Sequence, residues 1–143
     1  MFSPHHVAIS VTSLEQSVPF YEKLGFGEVM QWQAEDGSLS IVQMQLSGLL
    51  LEMFCFASSK AGGVNKRTLE SDLKTIGTKH FGLRVDDIER VRKQLVEAGL
   101  VDAQVVVTKG RTGIEYFFLR DPDGLFVEIV QDDRDFMQEP SAQ

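Results

Sequence analysis

The amino-acid sequence predicts an α+β fold in which two βαβββ modules form a curved mixed sheet shaped like a cup. Two recurring strand-like runs carry this prediction. The run His6–Val11 returns as His80–Val85, 74 residues later, and Gly48–Phe54 returns as Gly124–Val130, 76 residues later. Because each first run precedes a helix-like segment and each last run closes a set of strands, the chain repeats one unit twice.

The first module is expected to span residues 4–56. Its opening strand, His5–Val11, is rich in β-branched residues, and Ser13 opens a capping box for a helix that ends at Gly25. Pro19 lies inside this helix and predicts a kink or a late start. Short turns separate the three strands that follow: Phe26–Ala34, Leu39–Leu46 and Leu49–Phe56.

A polar connection, residues 57–78, leads to the second module, residues 79–132, and an acidic tail, residues 133–143, ends the chain. A strand at Lys79–Val85 and a helix from Asp87 to Gly99 repeat the opening of the first module. The strands expected after them are Ala103–Val107, Ile114–Arg120 and Leu125–Gln131, with a loop at 109–113. Since a module of roughly 55–65 residues has too little core to stand alone, we expect one domain.

The composition argues against nucleic acids and membranes as partners. The formal net charge of −7 disfavours nucleic acid and anionic membrane surfaces, which bind basic faces. The chain offers no signal-peptide pattern and no apolar run of the roughly 20 residues that a membrane helix needs. Cys55 is the single cysteine, so an intrachain disulfide is impossible, and a cytoplasmic location is expected.

Strand alternation places four potential metal ligands, two His and two Glu, on the inner face of the predicted cup. They occupy matched positions in the two modules: His6, Glu52, His80 and Glu128. A carboxylate among apolar neighbours is unfavourable by several kcal/mol unless it is paired or bound to a cation. One His at a strand start, or one strand Glu, is usually a surface residue, but the matched set predicts one divalent metal ion. Ni, Zn, Co, Mn and Fe all suit these ligands.

Other side chains on the same face are candidates for substrate binding. An aromatic wall is predicted from Phe54, Phe56, Tyr116, Phe118 and Phe126, unless these rings only fill the core. Three cations could hold a carboxylate or phosphate of the substrate, unless they are solvated surface: Arg84, Lys109 and Arg111.

The sequence resembles the vicinal-oxygen-chelate superfamily, which includes glyoxalases, bleomycin-resistance proteins and dioxygenases. The resemblance extends from Pro4 to Asp132 and is carried by three segments: His-His-Val-Ala-Ile-Ser-Val, the Ser17–Phe26 helix, and Arg-Asp-Pro-Asp-Gly-x-x-x-Glu ending at Glu128. The four-residue His/Glu set resembles that of bacterial glyoxalase I. That resemblance implies that Glu128 or Glu52 transfers a proton between adjacent carbons through an enediolate.

Two departures concern the substrate. Glyoxalase I has an Arg on the first strand that grips glutathione, where this chain has Ser10, and an Asn after the second ligand, where this chain has Phe56. The resemblance therefore implies a metal-dependent lyase or isomerase of glyoxalase type, acting on a small oxygenated molecule without a strict need for glutathione. A homodimer is also implied.

Two alternatives stay open at this point. The first is a non-catalytic drug-binding protein of the bleomycin-resistance type, which the acidic charge and aromatic lining favour. The second is an Fe(II) extradiol dioxygenase, which the resemblance disfavours because those enzymes use three ligands rather than four.

Overall fold

The computed structural model of the protein describes residues 3–60, 62–63 and 66–134, so most of the expected acidic tail lies outside the described residues. Eleven elements follow one another along this part of the chain: β1 (His6–Ser10), α1 (Leu14–Lys23), β2 (Gly27–Gln33), β3 (Leu39–Leu46), β4 (Leu49–Phe56), α2 (Leu69–Leu73), β5 (Phe81–Arg84), α3 (Ile88–Glu97), β6 (Thr108–Lys109), β7 (Glu115–Arg120) and β8 (Phe126–Gln131). The βαβββ order thus occurs twice. None of the described helices has the length and apolar character of a membrane-spanning helix.

The chain divides into two compact units. Unit 1 contains the described residues up to Lys79 together with Arg120–Leu125, and unit 2 contains His80–Leu119 together with the described residues from Phe126 onward. Each unit has one four-stranded mixed sheet, which confirms the fold class expected from the repeat.

The sheet of unit 1 has the strand order β1-β4-β3-β2, with β1 parallel to β4 and the other neighbours antiparallel. Alternation along β4 buries Leu51 and Met53 completely, and α1 contributes Phe20 and Tyr21 to the same core. The opposite face of the sheet carries the residues between these positions. His6 and Glu52 therefore lie on a face that the unit 1 core does not use.

The sheet of unit 2 repeats this arrangement with the order β5-β8-β7-β6 and a parallel β5–β8 pair. Leu83, Val127 and Ile129 are its buried alternate positions, and Ile88 and Leu95 of α3 are buried as well. Glu128 lies between two buried neighbours on β8, so its side chain points to the other face.

One predicted strand is wrong. Residues 103–107 form a turn and extended loop, and the short strand β6 begins only at Thr108. The cause is local, because Asp102 accepts the Gln104 N–H at 2.7 Å through its side chain and the Val105 N–H at 3.0 Å through its carbonyl. Such an Asp-centred turn competes with strand pairing. Lys109, expected on a loop, consequently lies in β6.

The two long helices start differently. Asp87 caps α3 as expected, since its carboxylate accepts the Arg90 N–H at 2.9 Å. Ser13 occupies the N-cap of α1 but makes no side-chain cap bond, so the expected capping box is wrong. Pro19 lies inside α1 without ending it, and Gly25 follows the helix with a φ of +97°, as expected for its C-terminus.

The Asp-Pro-Asp-Gly turn before β8 is anchored in unit 1. Asp121 accepts N–H groups from Asp123 at 3.0 Å and Leu125 at 2.8 Å, and it accepts the Tyr21 hydroxyl at 2.9 Å. Asp123 accepts the Thr12 N–H at 3.0 Å and the Thr12 hydroxyl at 2.5 Å. These bonds hold the turn against the segment before α1 and the last turn of α1.

Candidate functional site

The first His/Glu pair lies at the parallel β1–β4 ladder of unit 1. Glu52 stands opposite Ala8, two residues along the strand from His6. His6 Nε2 and Glu52 Oε2 are 3.9 Å apart, and their side chains are 43% and 19% exposed. The pair therefore presents an imidazole nitrogen and a carboxylate oxygen that remain accessible to a small ligand.

A third side chain completes this pair, and the sequence analysis missed it. Gln43 stands opposite Glu52 in the antiparallel β3–β4 ladder, and its Nε2 donates to Glu52 Oε1 at 2.7 Å. One oxygen of Glu52 is thus held by an amide while the other faces His6. Alternation along β3, counted from the turn before β4, would have placed Gln43 on this face.

The second pair lies in unit 2. His80 immediately precedes β5, and its Nε2 is 3.2 Å from Glu128 Oε2. The two side chains are 23% and 17% exposed. His80 Nδ1 is buried and has no hydrogen-bond partner within the described part of the chain, which leaves Nε2 as the nitrogen available to a ligand.

Gly82 keeps the space beside Glu128 open. It stands opposite Glu128 in the β5–β8 ladder, and a Cβ atom at Gly82 would lie 3.5 Å from Glu128 Oε2. A larger side chain here would cover the carboxylate. The glycine therefore leaves the Glu128 oxygen approachable from the β5 side.

Three of the five predicted wall residues form a connected group that reaches His80 through Phe118. The Phe118 ring centroid is 4.9 Å from that of His80, 5.6 Å from that of Tyr116 and 5.9 Å from that of Phe126, all with edge-to-face geometry. Edge-to-face packing is the preferred geometry of aromatic pairs. The second pair is thus bordered by a packed aromatic layer, which lowers the local polarity around its carboxylate.

The first pair has apolar neighbours as well. Phe54 stands opposite Ser10 and Ile41, in the row next to that of Glu52, and Trp32 follows opposite Ile41. Trp32 is 50% exposed and was missed by the sequence analysis. Phe56 is 44% exposed and lines, with Ser10, a groove of about 380 Å³ at the end of β1 and β4.

The three cationic side chains predicted to bind substrate were also located in the structure. Arg84 is exposed on β5 opposite Val130. The hydrogen bond from Arg134 is the main cause that lowers the pKa of Asp132 to about 2, and the charge of Arg84 makes a small contribution. Lys109 lies in β6, two strands away from β8, and stands opposite Glu115 of β7. Arg111 is exposed in the turn that follows β6. Among the described residues, no ion pair joins any of these three cations to a His/Glu pair.

The geometry within each pair fits a shared metal ion. Divalent ions bind His nitrogen and carboxylate oxygen at about 2.0–2.2 Å, so two ligands of one ion lie about 3.0–3.4 Å apart. The 3.2 Å pair meets this distance and the 3.9 Å pair needs a small side-chain rotation. Within residues 3–60, 62–63 and 66–134, no group of three or more His, Cys, Asp or Glu side chains forms a metal cluster. Each unit thus presents two donors.

Comparison with known proteins decides the family. The sequence profile of the Glyoxalase/Bleomycin resistance protein/Dioxygenase superfamily matches residues 3–129. The chain belongs to this superfamily. A protein named "Glyoxylase I 4" from Arabidopsis thaliana is 25% identical over 132 residues, which cover 92% of this chain and 71% of the plant protein.

Solved structures agree with the assignment to the superfamily. A glyoxalase family protein from Enterococcus faecalis is 28% identical, with a TM-score of 0.72, and the match covers 90% of this chain and 96% of that one. A bleomycin resistance determinant encoded on the transposon Tn5 is 19% identical, with a TM-score of 0.65 over 93% of this chain and 100% of that one. This second likeness concerns the fold alone.

Proposed function

We propose that the protein is a metal-dependent lyase or isomerase of glyoxalase type, which moves a proton between adjacent carbons of a small oxygenated substrate. The observation that carries the proposal is the second pair, in which His80 Nε2 and Glu128 Oε2 are 3.2 Å apart and only 23% and 17% exposed. The first pair supports it, since it places the same two residue types at the matched position of the other repeat.

The ligands proposed for one divalent ion are His6, Glu52, His80 and Glu128. A bound ion would act as a Lewis acid on two neighbouring oxygens of the substrate and so acidify the carbon between them. It would also offset the unfavourable placement of two carboxylates beside aromatic and apolar side chains.

The chain's own residues would perform the proton transfer. A carboxylate oxygen of Glu128 or Glu52 accepts the proton from one carbon and returns it to the next, since a positioned carboxylate can act as a general base. Phe118 borders His80, Tyr116 packs on Phe118, and these rings would exclude water from the transferred proton. The open flank that Gly82 provides would let the substrate approach Glu128.

The substrate proposed is an α-hydroxycarbonyl compound with an apolar or aromatic part. The exposed rings of Trp32 and Phe56 would contact that part. Ser10 and Phe56 lack the cationic and amide groups that the resemblance associates with glutathione, so a glutathione adduct should not be required. The homodimer and the cytoplasmic location stay predictions from the sequence.

Metal content is the first test. Protein purified without chelator should carry about one divalent ion per set of four ligands, measured by elemental analysis. Glu128→Gln and Glu52→Gln should each reduce metal content, whereas Glu115→Gln should not, because Glu115 is an exposed residue at the start of β7. Metal below roughly a tenth of an ion per chain would refute the proposal.

Proton exchange is the second test. The metal-loaded protein in D2O should exchange the carbon-bound proton of a suitable α-hydroxycarbonyl compound, observed by NMR. Replacing the carboxylate that acts as the base, by Glu128→Gln or Glu52→Gln, should abolish the exchange. A panel of such compounds, with and without a thiol, would identify the substrate class.

A second candidate function is drug binding without catalysis. The exposed apolar side chains of Trp32 and Met30 on the His6 face, together with the net charge of −7, favour an apolar cationic ligand. Trp32 is the only tryptophan, so its fluorescence reports binding directly. Stoichiometric binding of bleomycin that is unaffected by EDTA, without proton exchange, would favour this function over the enzyme.

A further inference from the structure

The two candidate carboxylates differ in what holds them, although the repeat makes their positions equivalent. Glu52 receives a hydrogen bond of 2.7 Å from Gln43 on the neighbouring strand β3. In unit 2 the corresponding strand, β7, places Phe118 beside His80, at 4.9 Å between ring centroids. An aromatic ring has no N–H or O–H donor for a carboxylate. The first carboxylate is therefore anchored by a side chain whose counterpart in the second repeat cannot do the same.

The chemistry of Gln43 settles which of its atoms faces Glu52. An ionised carboxylate only accepts hydrogen bonds, so the amide nitrogen must point to Glu52 and the amide oxygen must point away. The bond involves a charged acceptor in a half-buried place, where such bonds are stronger than on an open surface. It occupies Oε1 and leaves Oε2 directed toward His6.

We propose that Gln43 is a positioning residue that holds Glu52 in the orientation of a one-oxygen metal ligand. This inference rests on the proposed function, because it assumes that Glu52 binds a divalent ion. A carboxylate whose orientation is set before the ion arrives loses less rotamer freedom on binding, so the anchored Glu52 binds more tightly. Gln43 thus contributes to metal affinity without touching the metal itself.

The test measures metal affinity rather than turnover. Zn²⁺ and Ni²⁺ are titrated into the metal-free chain in competition with a chromophoric chelator. Gln43→Met keeps the length of the side chain and removes its hydrogen-bond donor. It should lower the affinity for both metals by about 10- to 100-fold, as the loss of a hydrogen bond to a metal ligand commonly does. Gln43→Leu is a second variant of different shape and should give the same result.

A matched control comes from the same strand. Gln45 lies two residues from Gln43 on the same face of β3, but it stands opposite Leu50 instead of a carboxylate. Gln45→Met should therefore leave both affinities within about two-fold of the unsubstituted chain. Thermal unfolding of the metal-free variants, followed by circular dichroism, checks that each variant is folded.

A double-mutant cycle distinguishes positioning from other roles. If Gln43 acts through Glu52, Gln43→Met should change metal affinity by less than about three-fold when Glu52→Gln is already present. In the Glu128→Gln background the full 10- to 100-fold loss should persist. A full loss in both backgrounds would overturn the inference, since Gln43 would then be a metal ligand itself or a general structural residue.

The two possible failures can be separated. If the unsubstituted chain binds neither Zn²⁺ nor Ni²⁺, the proposed function and this inference both fail. If it binds them and Gln43→Met binds equally well, the proposed function stands and only the positioning role of Gln43 is overturned.

Discussion

Replacing Tyr21 with Phe would remove one oxygen atom from the interior of unit 1. Tyr21 is completely buried and Asp121 is only 4% exposed, and the hydroxyl of the first donates to the carboxylate of the second at 2.9 Å. Because the ring volume is nearly unchanged, the substitution tests the hydrogen bond rather than the packing. It also tests whether the turn after β7 is held by α1.

The expected loss follows from the charge on the acceptor. A hydrogen bond to a charged group contributes about 1.5–3 kcal/mol, and its removal leaves a buried carboxylate with one donor fewer. For a chain of this size the entropy of unfolding is roughly 0.3 kcal/mol per degree, so the midpoint of thermal unfolding should fall by about 5–10 °C. Urea unfolding at neutral pH, followed by circular dichroism, measures the free-energy difference directly.

The difference in unfolding free energy between the parent and the Tyr21→Phe variant should change toward acid pH and toward alkaline pH. Burial raises the pKa of Asp121 above its usual range, while the bonds that it accepts, including the one from Tyr21, oppose this rise. Stability linked to such a group is fully present below its unfolded pKa and is lost as the pH rises through its folded pKa. Without the Tyr21 donor this loss is larger, so the Phe variant should approach the parent in acid and diverge as the pH rises toward neutrality.

Above pH 10 the difference should shrink again. Burial, followed by the negative charge of Asp121, raises the pKa of Tyr21 well above its usual value. The stability linked to Tyr21 is complete below the unfolded pKa of about 10, and it falls by about 1.4 kcal/mol per pH unit above it, because only the unfolded chain then ionises. The Phe variant lacks this loss. A free-energy difference below about 0.5 kcal/mol at neutral pH, or one that is constant from acid to alkali, would refute the reasoning.

Two further predictions concern backbone conformation and helix capping. Gly25→Ala should destabilise the chain by about 1–2 kcal/mol in urea unfolding, because Gly25 has a φ of +97°. Gly27→Ala should destabilise it much less, since no atom lies within 4 Å of the added Cβ. Equal losses of stability for the two variants would contradict the strain argument. Asp87→Ala should cost about 1 kcal/mol through the lost bond to the Arg90 N–H, whereas Ser13→Ala should cost only a few tenths, because its hydroxyl makes no cap bond. A larger loss at Ser13 than at Asp87 would show that the capping interpretation is wrong.

The sequence was a good guide wherever a periodic pattern met a repeat. The period of two in β4 and β8 correctly separated the buried Leu51 and Val127 from Glu52 and Glu128, because successive strand side chains point to opposite faces. The repeat then paired each Glu with the His of the same module. The site residues themselves stay predictions until the metal experiments are done.

The errors came from places where local hydrogen bonds override pattern. The apolar run 103–107 has strand composition, but Asp102 turns the backbone there and delays β6 to Thr108. Ser13 is a residue type that often caps a helix, yet its hydroxyl forms no cap hydrogen bond. Composition indicates which bonds a side chain can form, and the surrounding atoms decide which it does form.

The amino-acid sequence by itself determined the βαβββ repeat and the faces of its strands, because both follow from spacing along one chain. Only the tertiary structure decided that Gln43 reaches Glu52 and that Phe118 packs against His80. The first contact joins the neighbouring strands β3 and β4. The second joins β7 to the residue that precedes β5. Their geometry depends on ladder register and side-chain rotamers, which no spacing along the chain specifies.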